Sequence, residues 1–473
     1  YLFSLDLNAV LDLVEQLLDV DKESRLQVHI TKDDHQAYAF VFITLPRPHY
    51  SDELRADIRR LLQARFDARS VDGGVYAGGT ESVAVHYFLT GTTSLDERSK
   101  EELVAEIDQL SRPWHERLND ELSQRFDKGH ARNLHSLYCN AFPRRYREET
   151  SMARTVRDIE LLEELHDEDR FNCDLYREKT DDRLGVTRLR LFQNQKLLLS
   201  DILPILDNLG LVVIDQYPTE VHIPGRPDST IATFRLGGVQ KMNLDLLSRR
   251  NRLTAAVRAA LIEALDNDPM NRLLLRADIP WTYVVLMRSY QAYARQLGSP
   301  YGNQMVRDAL ERHADIVRAL TELFRAKFDP NIEGLDSDEV CDQRLRLIDR
   351  ARKTLLTLLD SVSNLTSDQI LRQFLNLIEA TLRTNFYVRA PLRQHEVVLK
   401  FDPAQIQRMP EPRPFREIYV HHPLVAGLHL RGGEIARGGI RWSDRRLDFR
   451  KEVLGLMATQ NLKNVLIVPR GAK

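Results

Sequence analysis

Apolar positions along the chain change period several times, and each change marks a new element. Val10, Leu11, Leu13, Val14, Leu17 and Leu18 recur at helical spacing within residues 1–24. From Leu26 to Ile30 apolar and polar residues alternate, which predicts a half-buried strand, and residues 38–45 predict another. Leu54, Ile58, Leu61 and Leu62 place a helix over 51–66, capped by Ser51 with acidic Asp52 and Glu53 in its first turn. Residues 83–89 alternate again as a strand. Ser94 and Glu97 have capping-box spacing for a helix running to about Phe126, kinked near Pro113. A further helix is expected over 151–165. Residues 187–192 then predict a strand, 197–209 a helix, and 211–217 and 230–236 two more strands. Gly210 follows that helix, where a left-handed C-cap needs no Cβ.

From 244 to 382 the period is almost entirely helical, with segments at 243–265, 280–297, 303–327, 337–362 and 367–382. Asn267-Asp268-Pro269, Gly298-Ser299-Pro300, Asp329-Pro330 and a capping box at Thr366-Ser367-Asp368-Gln369 separate them. Strands are expected at 385–388, 397–401 and 417–420, the last two divided by Pro403, Pro410, Pro412 and Pro414. The organisation expected is a ferredoxin-like α+β unit over 1–95, a helical connector over 96–185 and a second β-α-β unit over 186–240. A helical scaffold over 241–383 and a terminal α/β block over 384–473 follow. The β-α-β order of the two small units resembles that of small-molecule-sensing ACT domains. The fold class is therefore α+β and α/β multidomain.

At 473 residues the chain is long enough for about three domains or more. Its 67 Lys and Arg against 69 Asp and Glu leave a net charge of −2, which supplies no field for nucleic acid. Cys139, Cys173 and Cys341 are too few and too scattered for a disulfide framework or a zinc signature, which fits a cytoplasmic setting. The most apolar stretch, 197–214, is interrupted by Ser200, Asp201, Pro204, Asp207 and Asn208, so no membrane partner is expected.

Chemistry concentrates at 427–473. Gly432-Gly433 would turn one strand into the next, and Gly438-Gly439 would let a ligand approach the backbone. Asp444 would cap a helix from about 447 to 462, on which Gln460 and Lys463 project from one side. Residues 465–468 predict a buried strand, with 469–473 emerging at its C-terminal end, where open α/β sheets place their sites. Arg437, Gln460, Lys463 and Lys473 then combine three cations with an amide, a set suited to a small dicarboxylate. A lysine at the mouth of a buried strand can be desolvated into a general base near neutral pH.

Arg437-Gly438-Gly439-Ile440-Arg441, Gln460-x-x-Lys463 and Pro469-x-Gly471-Ala472-Lys473 resemble the substrate segment of the glutamate dehydrogenase superfamily. The run Gly438 to Arg445, the run Phe449 to Leu456 and the upstream text Ile370 to Tyr387 resemble the large bacterial NAD-specific glutamate dehydrogenases more closely still. That resemblance implies a homo-oligomer, a tetramer in the family, that oxidatively deaminates L-glutamate to 2-oxoglutarate and ammonia. Lys473 matches the catalytic lysine, and Gln460 and Lys463 match the α-carboxylate binders. Arg437 falls where smaller relatives carry a lysine for the side-chain carboxylate, beside Gly438 and Gly439. A Gly-x-Gly-x-x-Gly fingerprint is absent. NAD is therefore expected on a domain outside this chain, with the chain an N-terminal part that is inactive alone.

Blander readings apply to other features. Arg445, Arg446, Arg450 and Lys451 read as a solvated helix face. His421 and His422 point to opposite faces of a strand and cannot share a metal. Cys341 reads as a small buried hydrophobe, and Trp281, Tyr283 and Tyr290 as core. Two other functions compete with the enzyme: tandem ACT-like units that sense an amino-acid effector or hold subunits together, and, more weakly, an RNA-binding ferredoxin-like module. The absence of an aromatic RNP signature counts against the second.

Overall fold

The computed structural model describes residue 11 and residues 26–33, 38–76, 82–91, 97–165, 170–178, 181, 185–194, 198–240, 243–332, 340–388, 396–463 and 470–473. The chain divides into two compact units, Tyr1–Glu160 with His222–Arg226, and Leu161–Val221 with Pro227–Lys473. The helical stripe expected before residue 25, the Ser94 cap and the strand expected at 465–468 lie outside the described residues.

In the first unit β1 (Gln27–Asp33), β2 (Tyr38–Pro46), α1 (Asp52–Arg65), β3 (Ser70–Tyr76) and β4 (Ser82–Thr90) form an antiparallel sheet in the order β1-β2-β4-β3. Alternation explains β2: Ala39, Val41, Ile43 and Leu45 face Leu54, Ile58 and Leu62 of α1 in one core. Ser51 caps α1, its Oγ accepting from the Leu54 amide at 3.1 Å. The strand β3 carries no alternation because Asp72-Gly73-Gly74 interrupts it. Next come α2 (Glu97–Ser111), α3 (Trp114–Arg125), α4 (Lys128–Tyr138), α5 (Arg144–Glu149) and α6 (Met152–Glu163). The kink expected at Pro113 is a full break between α2 and α3. Leu103 and Ile107 of α2 close the core over the sheet.

The second unit opens with β5 (Phe171–Tyr176), β6 (Thr187–Gln193), α7 (Leu199–Asn208), β7 (Leu211–Val221) and β8 (Ser229–Val239), an antiparallel sheet in the order β5-β6-β8-β7. This sheet starts earlier than the boundary expected at 186. The strand β5 alternates, with Phe171, Cys173 and Leu175 in the core, but at six residues it is not among the strands expected. Helix α8 (Arg250–Leu261) then packs Leu253, Ala256 and Val257 into the same core. Both small units are thus β-β-α-β-β-α with sheet order 1-2-4-3; the expectation lacked β3 in the first and β5 in the second. Joining the ends of a ferredoxin-like chain and reopening it before its second strand yields this arrangement. The α+β character of the expectation holds.

The helical region continues with α9 (Leu273–Arg276), α10 (Trp281–Gln296), α11 (Asn303–Arg312), α12 (Ala314–Phe328), α13 (Val340–Asp360) and α14 (Leu365–Ala380). The single helix expected over 303–327 is broken at His313. The cap of α14 is Asn364, whose side chain accepts from the Ser367 amide at 2.8 Å, rather than the expected Thr366 box. Trp281 and Tyr290 are core as expected, with Tyr283 packed against it. Among the described residues no helix is long and apolar enough to cross a membrane.

The terminal sheet contains β9 (Thr381–Thr384), β10 (Val397–Phe401), β11 (Arg416–His421), β12 (Ala426–Arg431), β13 (Ala436–Gly438) and β14 (Arg470–Ala472), in the order β13-β14-β12-β11-β10-β9. The strand expected at 385–388 is instead a turn after β9. Tyr293 of α10 stacks on Phe401 with ring centroids 4.2 Å apart, so helical region and sheet share one core. Helix α15 (Phe449–Lys463) packs Val453, Leu454 and Met457 into that core.

Candidate functional site

The strands β13 and β14 run parallel, with Arg437 opposite Gly471 and Gly438 opposite Ala472. Gly439 and Lys473 therefore follow β13 and β14 at the C-terminal ends of a parallel pair, the usual seat of α/β sites. Gly432-Gly433 does not make the hairpin expected, because β14 lies between β12 and β13. Lys473 is held by its backbone: its N–H donates to the Leu430 carbonyl at 3.0 Å, and its carbonyl accepts from the Leu430 N–H at 2.8 Å. The Gly432 amide donates to Gly471 at 2.9 Å.

The two glycines are required for different reasons. A Cβ on Gly438 would overlap the Ala472 carbonyl, so no other residue lets β13 approach β14. A Cβ on Gly439 would lie 3.6 Å from Lys473 Nζ, which places the ammonium over the Gly439 backbone. Lys473 is half-buried, Arg437 is exposed, and neither side chain has a hydrogen bond or ion pair with the described residues.

Gln460 lies on α15, which packs on β12 and β14. Its Oε1 is buried without a hydrogen-bond partner among the described residues. Lys463 closes the same helix, and its side chain lies outside the described residues. The structure thus gathers Arg437, Gly438, Gly439 and Lys473 at one end of the β13–β14 pair, with Gln460 on the adjoining helix.

The other cations of this block are consumed internally. Arg441 pairs with Glu452, which also accepts from Ser443 at 2.8 Å, and these bonds hold the Glu452 carboxyl below the usual range. Arg441 thereby ties the glycine loop to α15. Arg445 bonds Asp448 at 3.0 Å. Arg450, expected on a solvated face, is buried against Glu417. Lone cationic residues in an exposed pattern gave no sign of this, because the partner lies on β11. Asp444 does not cap α15, which starts at Phe449. His421 lies 3.6 Å from Asp266 while His422 Nδ1 accepts from the Leu424 amide, so the pair is divided as expected. No group of three metal-ligating residues occurs among the described residues.

Five family models match in chain order. They are glutamate dehydrogenase ACT2 domain over 27–115, helical motif 2 over 121–165, ACT3 domain over 170–248 and helical motif 3 over 265–330, then the bacterial NAD-glutamate dehydrogenase catalytic domain over 354–473. The ACT3 match begins where β5 does. These matches describe a multidomain chain of tandem ACT units, helical motifs and the start of a sequence similar to a catalytic domain. Over its whole length the chain is similar to the bacterial NAD-specific glutamate dehydrogenases. It is 34% identical to the NAD-specific glutamate dehydrogenase of Halomonas elongata, 31% to that of Pseudomonas aeruginosa and 30% to that of Mycobacterium tuberculosis. Each alignment covers 100% of this chain but only 29–30% of the relative.

Proposed function

We propose that the chain is part of a longer enzyme that oxidises L-glutamate to 2-oxoglutarate and ammonia with NAD⁺ and water. Residues 384–473 form the first part of its substrate domain, downstream of two ACT-like units and a helical scaffold. The observation that carries this reading is the half-buried Lys473 side-chain nitrogen, set over Gly439 without a partner among the described residues, beside Arg437 on a parallel strand pair.

In this reading Arg437 forks onto the side-chain carboxylate of glutamate, and Gln460 and Lys463 hold the α-carboxylate. The Gly438 and Gly439 backbone leaves room for the substrate between them. Lys473 takes a proton from the water that attacks the oxidised Cα. NAD supplies the hydride acceptor. The chain has no Gly-x-Gly-x-x-Gly run, so its residues do not fit a dinucleotide cradle and we assign the cofactor to another part of the parent protein. The parent acts as a homo-oligomer in the cytoplasm.

The test is NAD⁺-dependent turnover. The full-length protein should oxidise glutamate, and the 473-residue chain should not. Turnover by the chain alone would refute the placement of the cofactor, and failure of the full-length protein would refute the substrate.

The two β-β-α-β-β-α units, matched by ACT models, support a second role as an amino-acid effector site. Calorimetric titration of the chain with the common amino acids should release heat with at least one; none would leave the units architectural.

A further inference from the structure

The side chains assigned above to the α-carboxylate both sit on α15, so what orients that helix decides whether they meet a substrate. Its apolar residues do not do this alone. Val453, Leu454 and Met457 are buried, but Leu456 is only half-buried and Gly455 and Thr459 are exposed. An unusual polar node sits at its first turn. Arg450 is 1% exposed and Glu417, on β11, is 0% exposed. The guanidinium donates from Nε to Glu417 Oε1 at 2.7 Å and from a terminal nitrogen to Oε2 at 2.9 Å. The same guanidinium lies 3.7 Å from Met409 Sδ.

The last turn of α10 adds a second grip. Gln296 Oε1 accepts from the Arg450 amide at 3.0 Å, while Gln296 Nε2 donates to the Arg446 carbonyl at 2.9 Å. One buried side chain from a distant helix therefore serves the start of α15 and the loop before it. It does the work expected of Asp444, satisfying a helix amide that has no partner in its own helix.

Burying a charged pair costs more than burying apolar side chains of similar volume, so the pair is a poor choice if stability were its only role. Two parallel hydrogen bonds fix rotation about the helix axis, which an apolar contact leaves loose. A shift of about 1 Å at a reacting or binding group can cost about 10²-fold. We propose that Glu417, Arg450 and Gln296 are positioning residues that set the rotation and depth of α15, and with it Gln460 and Lys463, against the β13–β14 site. This rests on the assignment of that site to glutamate.

The experiment replaces the pair with apolar residues in the full-length protein, as Glu417→Leu with Arg450→Met. A merely structural pair would be rescued in full by such a swap. The expected result is a melting temperature equal to or above wild type, with KM for glutamate raised about tenfold or more and kcat changed far less. Wild-type KM in a stably folded double variant overturns the inference. If the double variant does not fold, Gln296→Met provides the reading: it keeps the volume and should raise KM severalfold, and an unchanged KM overturns the inference. A wild-type protein that does not turn over glutamate at all fails differently, because it removes the substrate reading as well.

Discussion

The helical region and the end of the terminal sheet treat positive charge in opposite ways. In the helical region cations are consumed by the fold. Lys327 on α12 donates to the carbonyls of Ile378, Glu379 and Thr381 at 3.0, 2.8 and 3.0 Å, closing the C-terminus of α14. Arg344 on α13 does the same for α12, donating to Ala326, Lys327 and Asp329 at 3.2, 3.2 and 2.9 Å. Helix C-termini present orphan carbonyls and a negative dipole end, so each cation has found its natural counter-group. At the β13–β14 ends Arg437 and Lys473 have no such employment among the described residues. An exposed arginine without a partner is ordinary; a half-buried lysine without one is not. Cations spent on carbonyls hold the structure, and in the proposed reading the cations at the strand ends are kept for a ligand.

That contrast can be broken by substitution. Lys473→Met in the full-length protein should lower kcat by about 10²–10⁴-fold, the range for loss of a general base, with little change in melting temperature. A large loss of stability instead would make Lys473 structural. Lys327→Met should do the reverse. It strands three carbonyls and should cost about 2–4 kcal/mol in a denaturant titration of the chain, while KM for glutamate of the full-length variant stays unchanged. Burial also pushes the Lys327 ammonium down from 10.5 to about 8. The unfolded chain then holds a proton that the folded one releases between those values. Stability should rise with pH across that window, and the rise should vanish in Lys327→Met.

A smaller effect concerns selectivity. Arg437→Ala should reduce the preference for glutamate over norvaline by about 10–100-fold, the value of one or two charge-assisted hydrogen bonds. Unchanged preference would remove Arg437 from the site. The gentlest test uses the cysteines. Burial pushes the Cys173 thiol up to about 12, and its Sγ faces the Thr254 carbonyl at 3.2 Å. Alkylation at pH 8 should therefore modify half-exposed Cys139 and spare Cys173 until the chain unfolds.

Where local pattern decides structure, the sequence was legible. The alternation of β2, the Ser51 cap and the aromatic face of α10 follow from neighbours in the chain. So does the adjacency of Arg437 and Gly438, and the resemblance carried by those motifs agrees with the family found. What local pattern could not show depends on distant partners. The strand β3 is polar and exists because β4 offers it an edge. Arg450 looks like any surface arginine until Glu417 is brought to it across the core. The cap of α15 comes from Gln296, and no rule about adjacent residues finds it.

The most direct test is a crystal structure of the full-length protein with glutarate, a five-carbon dicarboxylate lacking the reactive amine. One carboxylate should lie on the Arg437 guanidinium and the other on Gln460 and Lys463, with Lys473 Nζ facing the carbon chain between them. Glutarate bound elsewhere, with Arg437 and Lys473 still facing solvent, would contradict the assignment.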